Sequence, residues 1–174
     1  MDAKRVARAG VMVALLAVSA QVMVPIGPVP FTLQTLVLAM VPAVLDPATS
    51  VLTVLAYVLL GAIGLPVFSG FQGGVGALAG PTGGFLWGFV LGCVLAVGIA
   101  KALPKGLGAF PRALICAAAL LLVSYACGTI QLMMLMGLDL MGALAIAVIP
   151  FVLPDAVKIA VGARLGCAVA RVVG

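Results

Sequence analysis

Long apolar segments follow one another along almost the whole chain, and clusters of glycine and proline separate them. A run of about twenty apolar residues is long enough to cross the hydrocarbon core of a bilayer. The 174 residues have room for about six such spans with short connections, and little remains for a soluble domain. Only 7% of the residues are charged, against roughly 25% in soluble proteins. We therefore predict an all-α integral membrane protein with a single domain over residues 1–174.

The glycine and proline clusters divide the chain into six predicted transmembrane helices. They lie near residues 6–24, 31–45, 48–62, 83–103, 110–136 and 154–170. Pro150 and Pro154 should break the last apolar region into a short piece and a helix with Pro154 in its first turn. Predicted helices 2 and 3 are short, so a re-entrant hairpin remains an alternative to two full spans. Residues 1–24 resemble a signal peptide, but the apolar run is long and further spans follow, so we expect a retained helix.

Positive charges recur at one end of the predicted helices, which sets an orientation. Lys4, Arg5 and Arg8 lie at the start of helix 1, and Arg164 and Arg171 lie near the end of helix 6. The connection between helices 4 and 5 carries Lys101, Lys105 and Arg112. Basic loops stay in the cytoplasm, so both termini are expected there. The connection over residues 63–82 then lies outside.

Several functional classes lack the residues that they need. The net charge of +5 is spread over short loops, which does not favour a nucleic-acid partner. The chain contains no histidine, and its four cysteines are far apart within apolar segments, so we predict neither a metal site nor a disulfide. No spacing typical of a hydrolase or a metalloprotease occurs, and Ser69 has no evident base. We predict that the chain is not an enzyme.

The outer connection between helices 3 and 4 is rich in glycine. It reads GLPVFSGFQGGVGALAGPTGG over residues 64–84. Glycine lets the main chain approach a ligand closely, so this segment is interpreted as a lid or recognition loop. A flexible connector is the alternative, although the segment is long and apolar for one.

Asp155 and Lys158 are the two charged residues of the sequence PDAVK within the last apolar region. Residues three apart share one helix face, and Gly162 one turn further leaves room beside them. Charges in a membrane normally face a protein interior or a wet cavity. The pair either forms the polar wall of a ligand pocket or is an ion pair that only orients the helix. In a pocket, the pair would bind a neutral ligand group that has both hydrogen-bond donors and acceptors.

Other polar or small residues allow two readings each. Thr32, Gln34, Tyr125 and Gln131 would either line a pocket or tether neighbouring helices. Gly10 and Ala14 in helix 1 have the small-x-x-x-small spacing. This spacing permits close helix packing, within the protein or with a partner.

Three segments together resemble the BioY family, the biotin-binding S component of energy-coupling factor (ECF) transporters. They are VPIGPVPFTLQTL, GLPVFSGFQGGVGALAGPTGGFLWGF and PFVLPDAVKIAVGARL, and they occur in the family's order. The resemblance implies a six-helix protein of a bacterial cell membrane that captures biotin from outside. It also implies a transmembrane coupling protein and ATPase subunits as partners. Membrane lipid would surround the chain, and the sequence leaves open whether the chain forms a homo-oligomer.

The resemblance also implies roles for individual residues. It makes Asp155 and Lys158 biotin ligands and places the glycine-rich loop over the pocket. Candidate loop contacts are Ser69, Gln72, Gly73, Gly74 and Gly84. Gly10 and Ala14 match the family's motif for docking the coupling protein. Biotin is then the transported ligand, and no cofactor is expected. The alternatives are a carrier or channel that works without ATP, and a structural membrane scaffold with no small-molecule ligand.

Overall fold

The computed structural model of the protein describes residues 2–104 and 106–173. Most of them are helical, as predicted. The α-helices are α1 (Ala3–Gln21), α2 (Gln34–Val44), α3 (Pro47–Ala62), α4 (Val75–Ala79), α5 (Gly83–Ala102), α6 (Ala109–Met136), α7 (Leu140–Ala147) and α8 (Ile149–Val173). Lys105, one of the cations used to predict the orientation, lies outside the described residues.

A small antiparallel sheet joins the first two long helices. Strand β1 (Met23–Val24) pairs with strand β2 (Phe31–Thr32), and Val24 lies opposite Phe31. The predictions that helix 1 continues to residue 24 and that helix 2 begins at residue 31 are therefore wrong at these ends. Prolines at positions 25, 28 and 30 lack the N–H group that a continuing helix needs, so the chain turns here.

The last apolar region breaks at Val148, and α8 begins at Ile149. A short piece followed by a longer helix was predicted, but the placement of Pro154 in the first turn is wrong. Pro150 occupies the first turn, where its missing N–H breaks no helical hydrogen bond. Pro154 lies inside α8, and the axis bends by 43° between α7 and α8.

Glycines bring the long helices into close contact. A side chain at Gly88 or Gly92 of α5 would collide with the backbone of α6. Gly162 of α8 lies against Leu36 and Ala39 of α2, so α2 fills the room expected beside the Asp155–Lys158 pair. Close backbone approach through small residues is typical of helix packing in membranes.

The bundle has two chemically different ends. At the basic end, Arg5 lies 3.7 Å from Asp46 in the α2–α3 connection, and Arg112 of α6 donates to the carbonyl of Ala100 in α5. At the opposite end, the loop end, the 22–33 and 63–82 connections meet, where Gln21 of α1 donates to the carbonyl of Phe68. By length and composition, α5 and α6 can each cross a membrane, and the bent α7–α8 pair can form a third span.

Candidate functional site

A cavity lies inside the loop end of the bundle. Its volume is about 70 Å³. One buried water needs roughly 10–15 Å³ by this measure, so the space suits a small molecule. The walls are mainly apolar and aromatic: Phe85, Leu86, Phe89, Leu121 and Phe151 contribute from α5, α6 and α8. Val29, Pro30, Phe68, Ser69 and Thr82 close the cavity from the connecting loops.

Asp155 is the centre of a polar cluster at the cavity wall. It is only 3% exposed, and it forms an ion pair with Lys158, which is 7% exposed. The Thr35 hydroxyl donates to Asp155 Oδ1 at 2.9 Å, and the Tyr125 hydroxyl donates to Oδ2 at 2.5 Å. Hydroxyl donors and the ammonium together stabilise an ionised carboxylate away from bulk water.

Lys158 is held by three neighbours from two elements. Besides its ion pair with Asp155, its Nζ donates to the carbonyl of Thr32 at 2.7 Å. The same atom lies 3.9 Å from the centre of the Phe31 ring, a cation–π contact. Strand β2 therefore positions the lysine, and the lysine ties β2 to α8.

The glycine-rich connection covers the cavity and is anchored on both sides. Gln21 of α1 accepts from the backbone N–H of Phe71 and donates to the carbonyl of Phe68. Gln131 of α6 donates to the carbonyls of Leu78 and Gly80, at 2.9 and 2.7 Å. The connection is thus a folded cover, with a 3₁₀ turn at Ser69–Phe71 and the short helix α4.

Tyr57 contacts the first part of the same cover, at Val67 and Phe68. Its hydroxyl donates to the carbonyl of Val67 at 2.9 Å and accepts from the Gln34 side chain at 2.8 Å. The Phe68 ring packs edge-on against the Tyr57 ring and is 2% exposed. These contacts bury the part of the cover that faces the cavity.

The sequence-predicted binding residues fall into two groups. Asp155, Lys158 and Ser69 line the cavity. Thr32, Gln34 and Tyr125, for which the sequence left two readings open, line it too and also hydrogen-bond to neighbouring elements.

The remaining predicted loop residues lie elsewhere. Gln72, Gly73 and Gly74 belong to the cover but are not among the residues that line the cavity. Gly74 has a φ of +88°, a conformation that favours glycine, and its N–H donates to the carbonyl of Gly61. Gly84 lies in α5, where a side chain would collide with the α6 backbone, and it lines a separate cavity beside α5 and α6.

Thr35 is a cavity residue that the sequence did not single out. It hydrogen-bonds to Asp155 across 120 positions of sequence. The one available signal was a hydroxyl within the apolar sequence of α2, which is weak because threonine is common in membrane helices.

Gly10 and Ala14 lie on an exposed face of α1, away from the cavity. A Cβ added at Gly10 would meet nothing within 4 Å. Val11 and Leu15 on the same side are 60% and 41% exposed. Within the part of the chain that the structure describes, Gly10 therefore makes no close helix contact, and Ala14 is exposed beside it.

Comparison with known proteins gives one consistent result. The model of the BioY family matches residues 1–174. The chain is 39% identical to the probable biotin transporter BioY of Pyrococcus horikoshii over 160 residues, which are 92% of each protein. It is 37% identical to the biotin transporter BioY of Thermotoga maritima over 162 residues, 93% of each.

A solved structure has the same fold. The chain superimposes with a TM-score of 0.87 on a crystal structure described as the S-component for biotin from an ECF-type ABC transporter. The match covers 97% of this chain and 91% of the other, at 24% sequence identity. The agreement extends over the whole bundle.

Proposed function

The chain belongs to the BioY family, and from this premise we propose that it is a membrane subunit that binds biotin for uptake. The family consists of transporters, which confirms the expectation that the chain is not an enzyme. The observation that carries the proposal is the buried Asp155–Lys158 pair at the wall of an apolar cavity.

The cavity has the chemistry that biotin requires. The ureido ring of biotin has two N–H donors and one carbonyl acceptor. The Asp155 carboxylate can accept an N–H, and Lys158 can donate to the carbonyl. Aromatic side chains such as Phe85 and Phe151 would surround the sulfur-containing ring and the aliphatic chain. Charge balance within the pair makes it suitable for a neutral ureido group.

The loop side of the cavity supplies groups for the other end of the ligand. Ser69 and Thr82 place hydroxyl-bearing side chains along the wall formed by the cover. We propose that they receive the valerate carboxylate, together with backbone N–H groups of the cover. Gln72, Gly73 and Gly74 would then act by shaping the cover, and Gly84 by packing α5 on α6.

The membrane arrangement follows from the charges at the basic end. We propose one domain over residues 1–174 with six membrane segments and both termini in the cytoplasm. The cavity then opens towards the outer face of a cell membrane, where biotin is captured. Transport would require an ECF coupling protein and ATPase subunits, with α1 as the docking helix.

Biotin titration of the purified chain in detergent tests the proposal. The wild type should bind biotin saturably, and Asp155→Asn should weaken binding about five- to hundredfold because a buried donor is left without its acceptor. Asp46→Asn is the matched control, because it removes an equal charge at the basic end and asparagine still caps α3. Absence of saturable binding to folded wild type, or equal losses in both variants, would contradict the proposal.

A further inference from the structure

A groove lies at the basic end, between the start of α6 and the end of α8. It has a volume of about 440 Å³. Its α8 side carries Arg164, Cys167 and Arg171, which share one face because they are three and four residues apart. Its α6 side carries Phe110, and the guanidinium carbon of Arg164 lies 4.1 Å from the centre of that ring. The stacking fixes one arginine at the rim of the groove.

The groove continues into an apolar chamber. A second cavity of about 290 Å³ shares Ala109, Cys167 and Arg171 with it. Alanines, two cysteines and Pro42 from α2, α5, α6 and α8 form most of this chamber, and Arg112 is a further basic residue in its wall. Arg112 uses its guanidinium to cap the end of α5, donating to the carbonyls of Ala100 and Pro104.

The positive charge of this region is not neutralised within the described residues. The sequence contains four acidic residues. In the part of the chain that the structure describes, the ion pairs are Arg5–Asp46 and Asp155–Lys158, so none involves the arginines of the groove. A site with a basic rim and an apolar interior, at the end of a membrane bundle, is complementary to an amphipathic anion.

We propose that the α6–α8 groove binds an anionic phospholipid. The phosphate would lie between Arg164 and Arg171, and an acyl chain would enter the apolar chamber. A free inorganic anion would leave the apolar chamber empty. A peptide partner bound to the basic rim would not need the chamber. The groove is also separate from α1, which packs against α2 and α3, so lipid binding and docking on α1 are compatible.

Lipid retention by the purified chain, measured by native mass spectrometry and thermal stability, tests the site. Phosphatidylglycerol should bind and stabilise the wild type more than phosphatidylcholine does. The double variant Arg164→Gln/Arg171→Gln should bind phosphatidylglycerol roughly twenty-five-fold more weakly, at about fivefold per charge removed. The double variant Arg164→Lys/Arg171→Lys keeps both charges and should keep most of the binding. Arg8→Gln, which removes a charge from α1, should bind phosphatidylglycerol as the wild type does.

Several results would overturn the proposal. One is equal retention of phosphatidylglycerol by the wild type and the glutamine variant, and another is equal binding of the two lipids by the wild type. Equal stabilisation by inorganic phosphate alone would assign the groove to a free anion. If the glutamine variant kept its lipid but lost co-purification with a partner protein, the groove would be a protein interface. Biotin titration of the same variants checks folding, since the cavity lies at the other end of the bundle.

Discussion

The Asp155–Lys158 pair affects the stability of the fold and, as proposed, the binding of biotin. Single and double substitutions of the pair separate these two effects. Neutralising one member leaves the other charge buried, which costs roughly 3–5 kcal/mol. Asp155→Asn and Lys158→Met should therefore each lower the melting temperature. The double variant removes both charges and should recover much of the lost stability. It should still fail to bind biotin, because the ureido donor and acceptor have lost their partners. Thermal unfolding and biotin titration of the three variants measure both effects, and a stable double variant with wild-type affinity would refute the proposed roles.

The sequence identified the charged residues of the cavity because charge is conspicuous in an apolar chain. It could not identify Thr35, because α2 is apolar around most of its circumference and its rotation about its axis cannot be inferred. Tyr125 remained ambiguous for a related reason. Its hydroxyl donates to Asp155 across 30 positions, and only tertiary packing determines which helix a buried hydroxyl meets.

The cover over the cavity is an element whose anchors can be removed individually. Gln131 donates to two carbonyls of the segment that contains α4. Gln131→Leu keeps the size of the side chain but leaves both carbonyls without this donor. Two net hydrogen bonds are worth about 1–3 kcal/mol, so the cover should open more often. We expect faster biotin dissociation and increased hydrogen exchange over residues 75–84.

The α5–α6 connection at the other end of the bundle provides an internal control. Its exchange should not change in Gln131→Leu, since Arg112 still caps the end of α5. Increased exchange throughout the chain would instead indicate global destabilisation. Unchanged exchange and unchanged dissociation would mean that Gln131 does not hold the cover closed.

The ends of a helix were predicted more accurately where glycines border it than where prolines lie near its start. Predicted helix 5, near residues 110–136, agrees closely with α6, because Gly108 and Gly137 border it. The start of the last helix was misplaced because the effect of a proline depends on its position. In a first turn it removes no bond, and inside a helix packed against its neighbours the lost bond is tolerated. The fold of the cover could not be predicted either, because the two glutamines that anchor it lie far away in the sequence, in α1 and α6.

At the scale of the whole molecule, hydropathy predicted the class of protein and charge distribution predicted which helix ends lie together. The contact between Arg5 and Asp46 joins the start of α1 to the α2–α3 connection, as an alternating arrangement requires. The number of full spans remains a proposal. Helices α2 and α3 have 11 and 16 residues, so they are shorter than the bilayer core.

The exposed face of α1 gives a prediction about assembly with the proposed coupling protein. Gly10 is exposed, and among the described residues nothing lies within 4 Å of a Cβ added there. If a partner helix packs closely on this face, Gly10→Leu should abolish co-purification with the coupling protein and ATPases and reduce biotin uptake. Biotin affinity of the isolated chain should stay at the wild-type value, because the cavity lies at the opposite end of the bundle.

Gly98→Leu is a matched control for the docking face, because Gly98 is an exposed helical glycine of α5 whose added Cβ would also meet nothing within 4 Å. Both substitutions replace an exposed glycine within a helix by leucine, so they have similar effects on helix propensity. Only Gly10→Leu should disrupt the complex. Equal co-purification of both variants with the partners would remove α1 from the interface. A loss of biotin binding in Gly10→Leu alone would assign the small-residue face to the folding of this chain, since a docking surface has no effect on ligand affinity in the absence of its partner.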